Sequence, residues 1–250
     1  MIINSIILIF FTVGAGLTAF YFGKKKLSFY KPALTFGGAY LFSITITHIL
    51  PQVYYLKKEA SLTLGIFILG GFFLQLLLEN LSHGIEHGHR HAFDIESKPF
   101  HPTAIALMVG LCIHSILEGT LIGHPYTIYH HHNHGDGSVL IGILLHKMPA
   151  AFALTLVIWE SIKNMKIAII YLVIFSIMSP IGMIAEYFMG KMELIAPENM
   201  SYIYALVSGS FLQISTTIFY ETSPEHKINP TRFGIAIAGA ALAILTEMIF

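Results

Sequence analysis

The chain has 250 residues, of which 55% are hydrophobic and only 11% are charged, whereas a soluble domain carries about 25% charged residues. The deficit of charge runs along the whole chain, so it indicates a polytopic membrane protein and excludes a separate soluble domain of ordinary size. The formal net charge is zero and no nucleotide-binding motif is present, so neither a nucleic-acid nor a nucleotide partner is expected. The only cysteine, Cys112, excludes disulfides within the chain, whereas 14 histidines supply the commonest metal ligand.

Eight apolar segments approach the length of about 20 residues that a membrane-spanning helix needs. The first has no preceding basic residue and is followed by Lys24, Lys25 and Lys26, so we interpret it as a membrane helix rather than a removed signal peptide. The pattern therefore predicts one all-α transmembrane domain over residues 1–250. The predicted helices are residues 2–22, 32–54, 62–83, 102–123, 138–159, 166–189, 201–220 and 233–250.

The distribution of basic residues predicts the orientation of these helices. If both termini lie outside, the inner connections hold ten of the 14 Lys and Arg residues and the outer connections hold three. Lysine and arginine accumulate in cytoplasmic loops, so this asymmetry favours a topology with both termini outside.

Two of the predicted helices end in a similar polar pattern. The second carries His48 three residues before Pro51, and the seventh carries Glu221 three residues before Pro224. Under the predicted topology these helices run in opposite directions, as expected for an inverted repeat of helices 1–3 and 6–8 around helices 4 and 5. Proline near a helix end is common, so two unrelated helices would also fit the pattern.

The fourth and fifth predicted helices carry ligand-type residues at membrane depth. His114 and Glu118 are four residues apart and share one helix face. A carboxylate in the hydrocarbon region costs about 2.5 kcal/mol or more unless it is compensated. His146 lies at a comparable depth, three residues before Pro149, whose missing backbone hydrogen bond indicates a cavity. Two imidazoles and a carboxylate are a ligand set for zinc, and we call His114, Glu118 and His146 the central triad. The alternative is a buried His114–Glu118 hydrogen bond beside a core histidine.

At these residues the chain resembles the ZIP family of divalent metal transporters. The resemblance implies eight transmembrane helices in a 3+2+3 arrangement with an inverted repeat and, in many members, a homodimer. It also implies import of Zn²⁺, or of Fe²⁺, Mn²⁺ or Cd²⁺, into the cytoplasm by alternating access. The motifs that carry it are His114-Ser115-x-x-Glu118-Gly119, His146-Lys147-x-Pro149, His48-x-x-Pro51 and Glu221-x-x-Pro224.

The chain departs from those family members that bind two metal ions side by side. The positions matching the ligands of a second ion are Ser115, Lys147 and Ala150, and none of them is an obvious hard ligand. We therefore predict a single metal site formed by the central triad, with Ser115 at most a weak additional ligand. The Lys147 ammonium either takes the place of the second ion and pairs with Glu118 or packs toward a water-filled path.

Histidines also cluster in two predicted connections. Residues 84–101 are predicted to form a cytoplasmic loop and residues 124–137 an extracytoplasmic loop, and histidines in such segments can chelate metal ions. The alternative is a pair of solvated polar loops that bind metal only incidentally. The histidines concerned are His87, His89 and His91 in the first loop and His130, His131, His132 and His134 in the second.

Ligand-type residues near helix ends are candidate way stations for an ion that crosses the membrane. Glu186 and Glu247 also lie close to outer helix ends, and there we expect their carboxylates to reach water. The candidate way stations are His48 on the outer side and Glu79, His83, Glu221 and His226 on the inner side.

The sequence thus favours a divalent metal transporter in a cell membrane, the inner membrane if the source is a bacterium, and not an enzyme. One alternative is a membrane-embedded zinc hydrolase, in which the metal would activate water. That reaction needs a further general acid or base, and the central triad offers no carboxylate besides Glu118. Another alternative is a metal sensor or storage protein built on the histidine-rich loops.

The predicted topology can be tested by labelling. A small tag added at either terminus should react with a membrane-impermeant reagent in sealed, right-side-out vesicles, because both termini are expected outside. A tag placed within residues 84–101 is the control and should react only after permeabilisation. A terminal tag that also requires permeabilisation would contradict the topology.

Overall fold

The structure, a computed structural model, describes residues 1–23, 27–57, 62–82, 102–123, 136–192, 194–222 and 229–249, and these ranges contain helices and no β-strand. A π-helical turn, Thr45–Ile49, joins α2 to α3 in one continuous rod, so the eight predicted helices are all present. The helices are α1 (Ile2–Phe22), α2 (Leu27–Ile44), α3 (Leu50–Lys57), α4 (Leu62–Ser82), α5 (Pro102–Thr120), α6 (Asp136–Ile162), α7 (Met165–Lys191), α8 (Pro197–Thr222) and α9 (Pro230–Ile249).

Seven helical segments of the described chain are long and apolar enough to cross a bilayer. In α5 the apolar segment Leu107–Thr120 is shorter. The helix boundaries differ from the predicted ones by a few residues, and α8 begins four residues before the predicted start at residue 201. Proline is favoured at the first helical position, so Pro197 starts α8 ahead of its apolar stretch.

The corner between α6 and α7 shows how local chemistry reverses the chain. Only Lys163 and Asn164 separate the two helices, and Lys163 adopts the left-handed conformation with a φ of 55°. The side chain of Asn164 accepts hydrogen bonds from the backbone N–H groups of Lys166 and Ile167, which caps the first turn of α7. α7 therefore runs back alongside α6.

The helices pack as two bundles. The site bundle consists of α1, α5, α6 and α7, in which α5 packs on α7 and α1 packs on α6. The flanking bundle consists of α2, α3, α4, α8 and α9, in which α4 packs on α8 and α2 packs on α9. Contacts between the bundles are made mainly by α2 with α6 and by α4 with α5.

Pairs of contacts establish the helix directions. Phe67 stacks on Tyr202, and Ser210 donates a hydrogen bond to Gln75. In both pairs the residue of α8 follows that of α4 by 135 positions, so α4 and α8 run parallel. α2 runs antiparallel to α6, because Gly37 lies against Leu145 whereas Tyr40, later in α2, lies against the earlier Gly142. We call the side on which α4, α6 and α8 begin face 1 and the side on which they end face 2.

Glycines allow the closest helix approaches within each bundle. At each of these positions an added Cβ atom would overlap a backbone carbonyl oxygen of the neighbouring helix, so only glycine fits. The contacts come in reciprocal pairs, which lock α4 to α8 and α5 to α7. These pairs are Gly71 with Leu206 and Gly209 with Ile68, then Gly119 with Ser179 and Gly182 with Ile116.

Two neighbouring glycines in α4 test this packing. Gly71→Ala should destabilise the protein by about 1–3 kcal/mol, because its methyl group collides with the Leu206 carbonyl. Gly70→Ala is the matched control, since nothing lies within 4 Å of its added Cβ. Thermal unfolding in detergent should show a lower Tm for Gly71→Ala alone, and equal Tm values would contradict the proposed close approach.

Candidate metal centre

α5 and α6 bring the three residues of the central triad together. Glu118 Oε2 lies 3.0 Å from His146 Nε2 and 3.4 Å from His114 Nε2. One candidate ligand atom from each residue lies within 4.8 Å of the other two. The exposed fractions are 6% for His114, 0% for Glu118 and 8% for His146, so the triad is buried. Two imidazole nitrogens and one carboxylate oxygen therefore converge on a point where a divalent ion would fit.

A hydrogen bond on the far side of His146 determines which ring nitrogen faces the triad. His146 Nδ1 lies 2.8 Å from the carbonyl oxygen of Gly142, one turn earlier in α6. A carbonyl can only accept, so Nδ1 donates and neutral His146 presents the lone pair of Nε2 to Glu118. An imidazole lone pair and a carboxylate oxygen 3.0 Å apart attract each other only with a proton or a metal ion between them. This geometry suits a cation site.

His114 is held in a comparable way by the flanking bundle. Its Nδ1 lies 3.5 Å from the hydroxyl oxygen of Ser210, whose own proton is donated to Gln75 Oε1 at 2.9 Å. Ser210 is thus an acceptor for His114, and His114 Nε2 carries the lone pair. Among the described residues His114 Nε2 has no hydrogen-bond partner. It is therefore available as a metal ligand.

Lys147 compensates the charge of Glu118. The Lys147 ammonium lies 2.5 Å from Glu118 Oε1, 2.5 Å from the Ser115 hydroxyl and 2.8 Å from the Ser179 hydroxyl. Of the two alternatives left open for Lys147, the structure therefore shows the pairing with Glu118. The two carboxylate oxygens have different partners, since Oε1 meets the ammonium whereas Oε2 faces the two imidazoles.

The ion pair has further partners that offset its desolvation. Removing both charges from water costs several kcal/mol per ion unless additional hydrogen bonds are made. Ser179 donates to Glu118 Oε1 at 2.6 Å, and the Lys147 ammonium lies 4.2 Å from the centre of the Phe175 ring. Glu118 and Lys147 are 0% and 1% exposed, so all of this compensation comes from the protein.

A cavity adjoins the triad on its face 2 side. The cavity has a volume of about 30 Å³. Ala150, the residue after Pro149, lies in its wall, so the cavity predicted at Pro149 is present. From the flanking bundle, the ring of Phe211 lies 5.7 Å from that of His146 and 6.3 Å from that of His114. The cavity is lined by Leu34, Gln75, Leu111, His114, His146, Ala150, Ile214 and Ile218.

Packed apolar residues cover the face 1 side of the triad. On that side both bundles contribute residues to one buried apolar core. The core residues nearest the triad on this side include Tyr40, Ile44, Val139, Ile143, Met183, Tyr204 and Val207.

The predicted way stations that the structure describes lie outside the triad. His48, on the π-helical turn, pairs with Glu247, with 2.7 Å between Nδ1 and Oε1. Glu79 accepts hydrogen bonds from Gln213 and Thr217 on α8. The structure therefore does not bring His48 or Glu79 into contact with the central triad.

The prediction for Glu186 is wrong. Its carboxylate is 0% exposed and accepts a hydrogen bond of 2.8 Å from the Tyr204 hydroxyl, because α8 covers this part of α7. The remaining predicted residues lie outside the described part of the chain. They are His83, His87, His89, His91, His130, His131, His132, His134 and His226, together with the side chain of Glu221.

Sequence reasoning missed several residues around the triad. Ser179 precedes Pro180 in the middle of an apolar helix, and a polar residue there was a usable signal. Gln75 and Ser210 are likewise polar residues within apolar stretches. Phe211 has no such signal, because phenylalanine is ordinary in any membrane helix.

Comparison with known proteins agrees with the site. A family model described as the ZIP zinc transporter matches residues 86–246. The chain belongs to the ZIP zinc transporter family. It is also 27% identical over 165 residues to Zinc transporter ZIP1 of Danio rerio. The aligned region covers 62% of this chain and 52% of that relative. The chain thus spans about half the length of the curated relative it matches.

Family membership confirms the resemblance that was based on the fourth and fifth predicted helices, which are α5 and α6 in the structure. ZIP proteins are a family of transporters, so family membership favours the transporter prediction over the enzyme alternative. Family membership and the seven apolar spans together identify an integral, multi-pass membrane protein.

Replacing Lys147 tests the compensation of Glu118. Lys147→Met leaves a buried, unpaired carboxylate, and breaking a buried ion pair in this way costs about 3–5 kcal/mol. We expect the metal-free variant to unfold at a lower temperature than the wild type. Zn²⁺ should raise its Tm by more than it raises that of the wild type, because the ion supplies the missing positive charge.

An exposed lysine provides the control for this experiment. Lys163→Met breaks a surface pair with Glu160, whose charged atoms are 2.7 Å apart, and such pairs contribute about 0–1 kcal/mol. It should unfold like the wild type with and without Zn²⁺. If Lys147→Met also behaved like the wild type, the ion pair would not be compensating Glu118.

Proposed function

We propose that this protein carries a divalent metal ion, Zn²⁺ first of all, across the membrane through the central triad. The observation that carries the proposal is the convergence of two imidazole nitrogens and a carboxylate oxygen within 4.8 Å, between the apolar helices α5 and α6. Nitrogen and oxygen donors of this kind suit Zn²⁺ and also accept Fe²⁺, Mn²⁺ or Cd²⁺. Ionisable residues are costly at this depth, so a purely structural role explains them poorly.

We propose that the site holds one ion. The Lys147 ammonium lies between Glu118, Ser115 and Ser179, which is where a second ion would need negative or neutral ligands. Glu118 Oε2 and the two Nε2 atoms remain for the transported ion. Ser115 contacts the ammonium, so it is not counted among the ligands.

The division into two bundles supports transport by alternating access. All three ligands belong to the site bundle, whereas the flanking bundle supplies Leu34, Gln75 and Phe211 as the opposite wall. We propose that the arrangement with the cavity on the face 2 side is the state open toward face 2 and closed toward face 1. We propose that the site bundle moves against the flanking bundle until the site opens to face 1.

The pattern of packed helices supports a 3+2+3 arrangement with an inverted repeat. In such a repeat α1 corresponds to α7, α4 to α9, the α2–α3 rod to α8, and α5 to α6. The contact of α1 with α6 then corresponds to that of α7 with α5. The contact of α4 with α8 corresponds to that of α9 with α2, and all four contacts are present.

We propose that transport runs from face 1 to face 2, which the positive-inside rule makes import into the cytoplasm. His48 with Glu247 would receive ions on the outer side, and Glu79 would receive them beyond the triad. The histidine-rich segments 124–137 and 84–101 would bind ions at the outer and inner surfaces.

Zinc uptake by proteoliposomes tests the proposed function. Glu118→Ala and His114→Ala should each lower the uptake rate at least tenfold, because each removes a ligand of the transported ion. Glu160→Ala is the control, since Glu160 lies at the helix end and pairs with the exposed Lys163. Zinc binding without uptake by the wild-type protein would contradict the proposal, as would normal uptake by both triad variants.

A further inference from the structure

Two tyrosines of the flanking bundle reach across to the site bundle. The Tyr40 hydroxyl donates to the carbonyl oxygen of Ser138, in the first turn of α6, at 3.0 Å. The Tyr204 hydroxyl donates to Glu186 Oε1, on α7, at 2.8 Å. Both tyrosines are buried, and neither contacts the central triad.

Both contacts lie on the closed side of the triad. Ser138 precedes His146 by eight residues, which places it about 12 Å closer to face 1 at 1.5 Å per residue. Glu186 follows Ser179 by seven residues in α7, which runs toward face 1, so it lies about 10 Å from the level of Ser179. The cavity beside the triad lies in the opposite direction. The two hydroxyls therefore join the bundles only where the path to the site is shut.

The surroundings of each tyrosine are suited to a contact between bundles. Tyr40 is held on its own side by Thr246 of α9, with 2.6 Å between the hydroxyl oxygens. Tyr204 donates to a side-chain oxygen of Glu186, so its hydrogen bond can be removed from either bundle by a single substitution. α7 and α8 are not among the most closely packed helix pairs, and this bond links them directly.

We propose that Tyr40 and Tyr204 latch the two bundles together on face 1, and that both hydrogen bonds break when the site opens to that side. The inference rests on the proposed alternating access. It assigns the tyrosines a positioning role, because they set the ratio of closed to open protein without touching the ion. Loss of one such bond should raise the open fraction relative to the closed fraction about fivefold.

Distance measurements between spin labels test the latches directly. Labels at Lys191→Cys, at the end of α7, and Tyr55→Cys, in α3, report on the separation of the bundles at face 1, and both positions are exposed. The background is Cys112→Ala, which removes the native thiol, in protein reconstituted into liposomes. Tyr40→Phe and Tyr204→Phe should each enlarge the open distance population about fivefold, and together they should enlarge it further.

A neighbouring tyrosine and two acceptor variants sharpen the test. Tyr202→Phe, on the same helix as Tyr204, keeps the ring stacked on Phe67 and should leave the distances unchanged. Glu186→Ala should reproduce the effect of Tyr204→Phe, whereas Glu186→Gln, which retains a carbonyl acceptor, should stay close to the wild type. Distances in Tyr40→Phe and Tyr204→Phe that match those in Tyr202→Phe overturn the proposal.

Uptake measurements separate this inference from the proposed function. With more protein open to face 1, the apparent KM for zinc supplied on that side should fall in both tyrosine variants, which simple destabilisation would not cause. An unchanged KM in both variants, measured against a transporting wild type, counts against the latches. If the wild type does not transport zinc, the proposed function fails, and the distance measurement still decides whether the tyrosines hold face 1 closed.

Discussion

A carboxylate buried among membrane helices is the constraint on which the rest of the site depends. Glu118 is 0% exposed, and an uncompensated charge at that depth costs about 2.5 kcal/mol or more. Its two oxygens have different partners, since Oε1 contacts the Lys147 ammonium and the Ser179 hydroxyl whereas Oε2 faces two imidazoles. The imidazole side is completed by a proton or a metal ion. Metal binding and the Lys147 pair are therefore linked through a single residue.

The same arrangement determines how charge moves in the proposed cycle. Glu118 and Lys147 cancel each other, so the charge of the metal-free site is that of the proton that completes its imidazole side. Neutral imidazoles add none, so a bound divalent ion gives the loaded site two positive charges. A membrane potential works on such a site with about 4.6 kcal/mol per 100 mV. With a negative cytoplasm this favours import of the loaded site.

The sequence predicts those parts of the structure that depend on one helix at a time. Apolar runs of about 20 residues suffice to predict the eight helices, and ligand-type residues at similar depth on consecutive helices suffice to predict the triad. Ser179 could not be placed beside Glu118, because their contact follows from the close glycine packing of α5 on α7. Glu186 was wrongly expected to reach water for a related reason. Its place near a helix end indicates its depth, but only the tertiary structure shows Tyr204 covering it.

The chemistry of the two kinds of interface explains where motion can occur. Within the bundles, glycines such as Gly71 and Gly119 bring backbones so close that any sliding would cause helix atoms to overlap. Between the bundles the backbones are less close, since an added Cβ at Gly37 would lie 2.7 Å from the Leu145 carbonyl oxygen, against 1.7 Å from the facing oxygen at Gly71 and 2.1 Å at Gly119. Tyr40 and Tyr204 contribute hydrogen bonds there worth about 1 kcal/mol each, which water or other groups can replace. Because the whole triad belongs to one bundle, its ligands keep their mutual distances when the bundles shift. Only the wall formed by residues such as Phe211 has to change, so an ion can be exposed to the other face without losing its coordination.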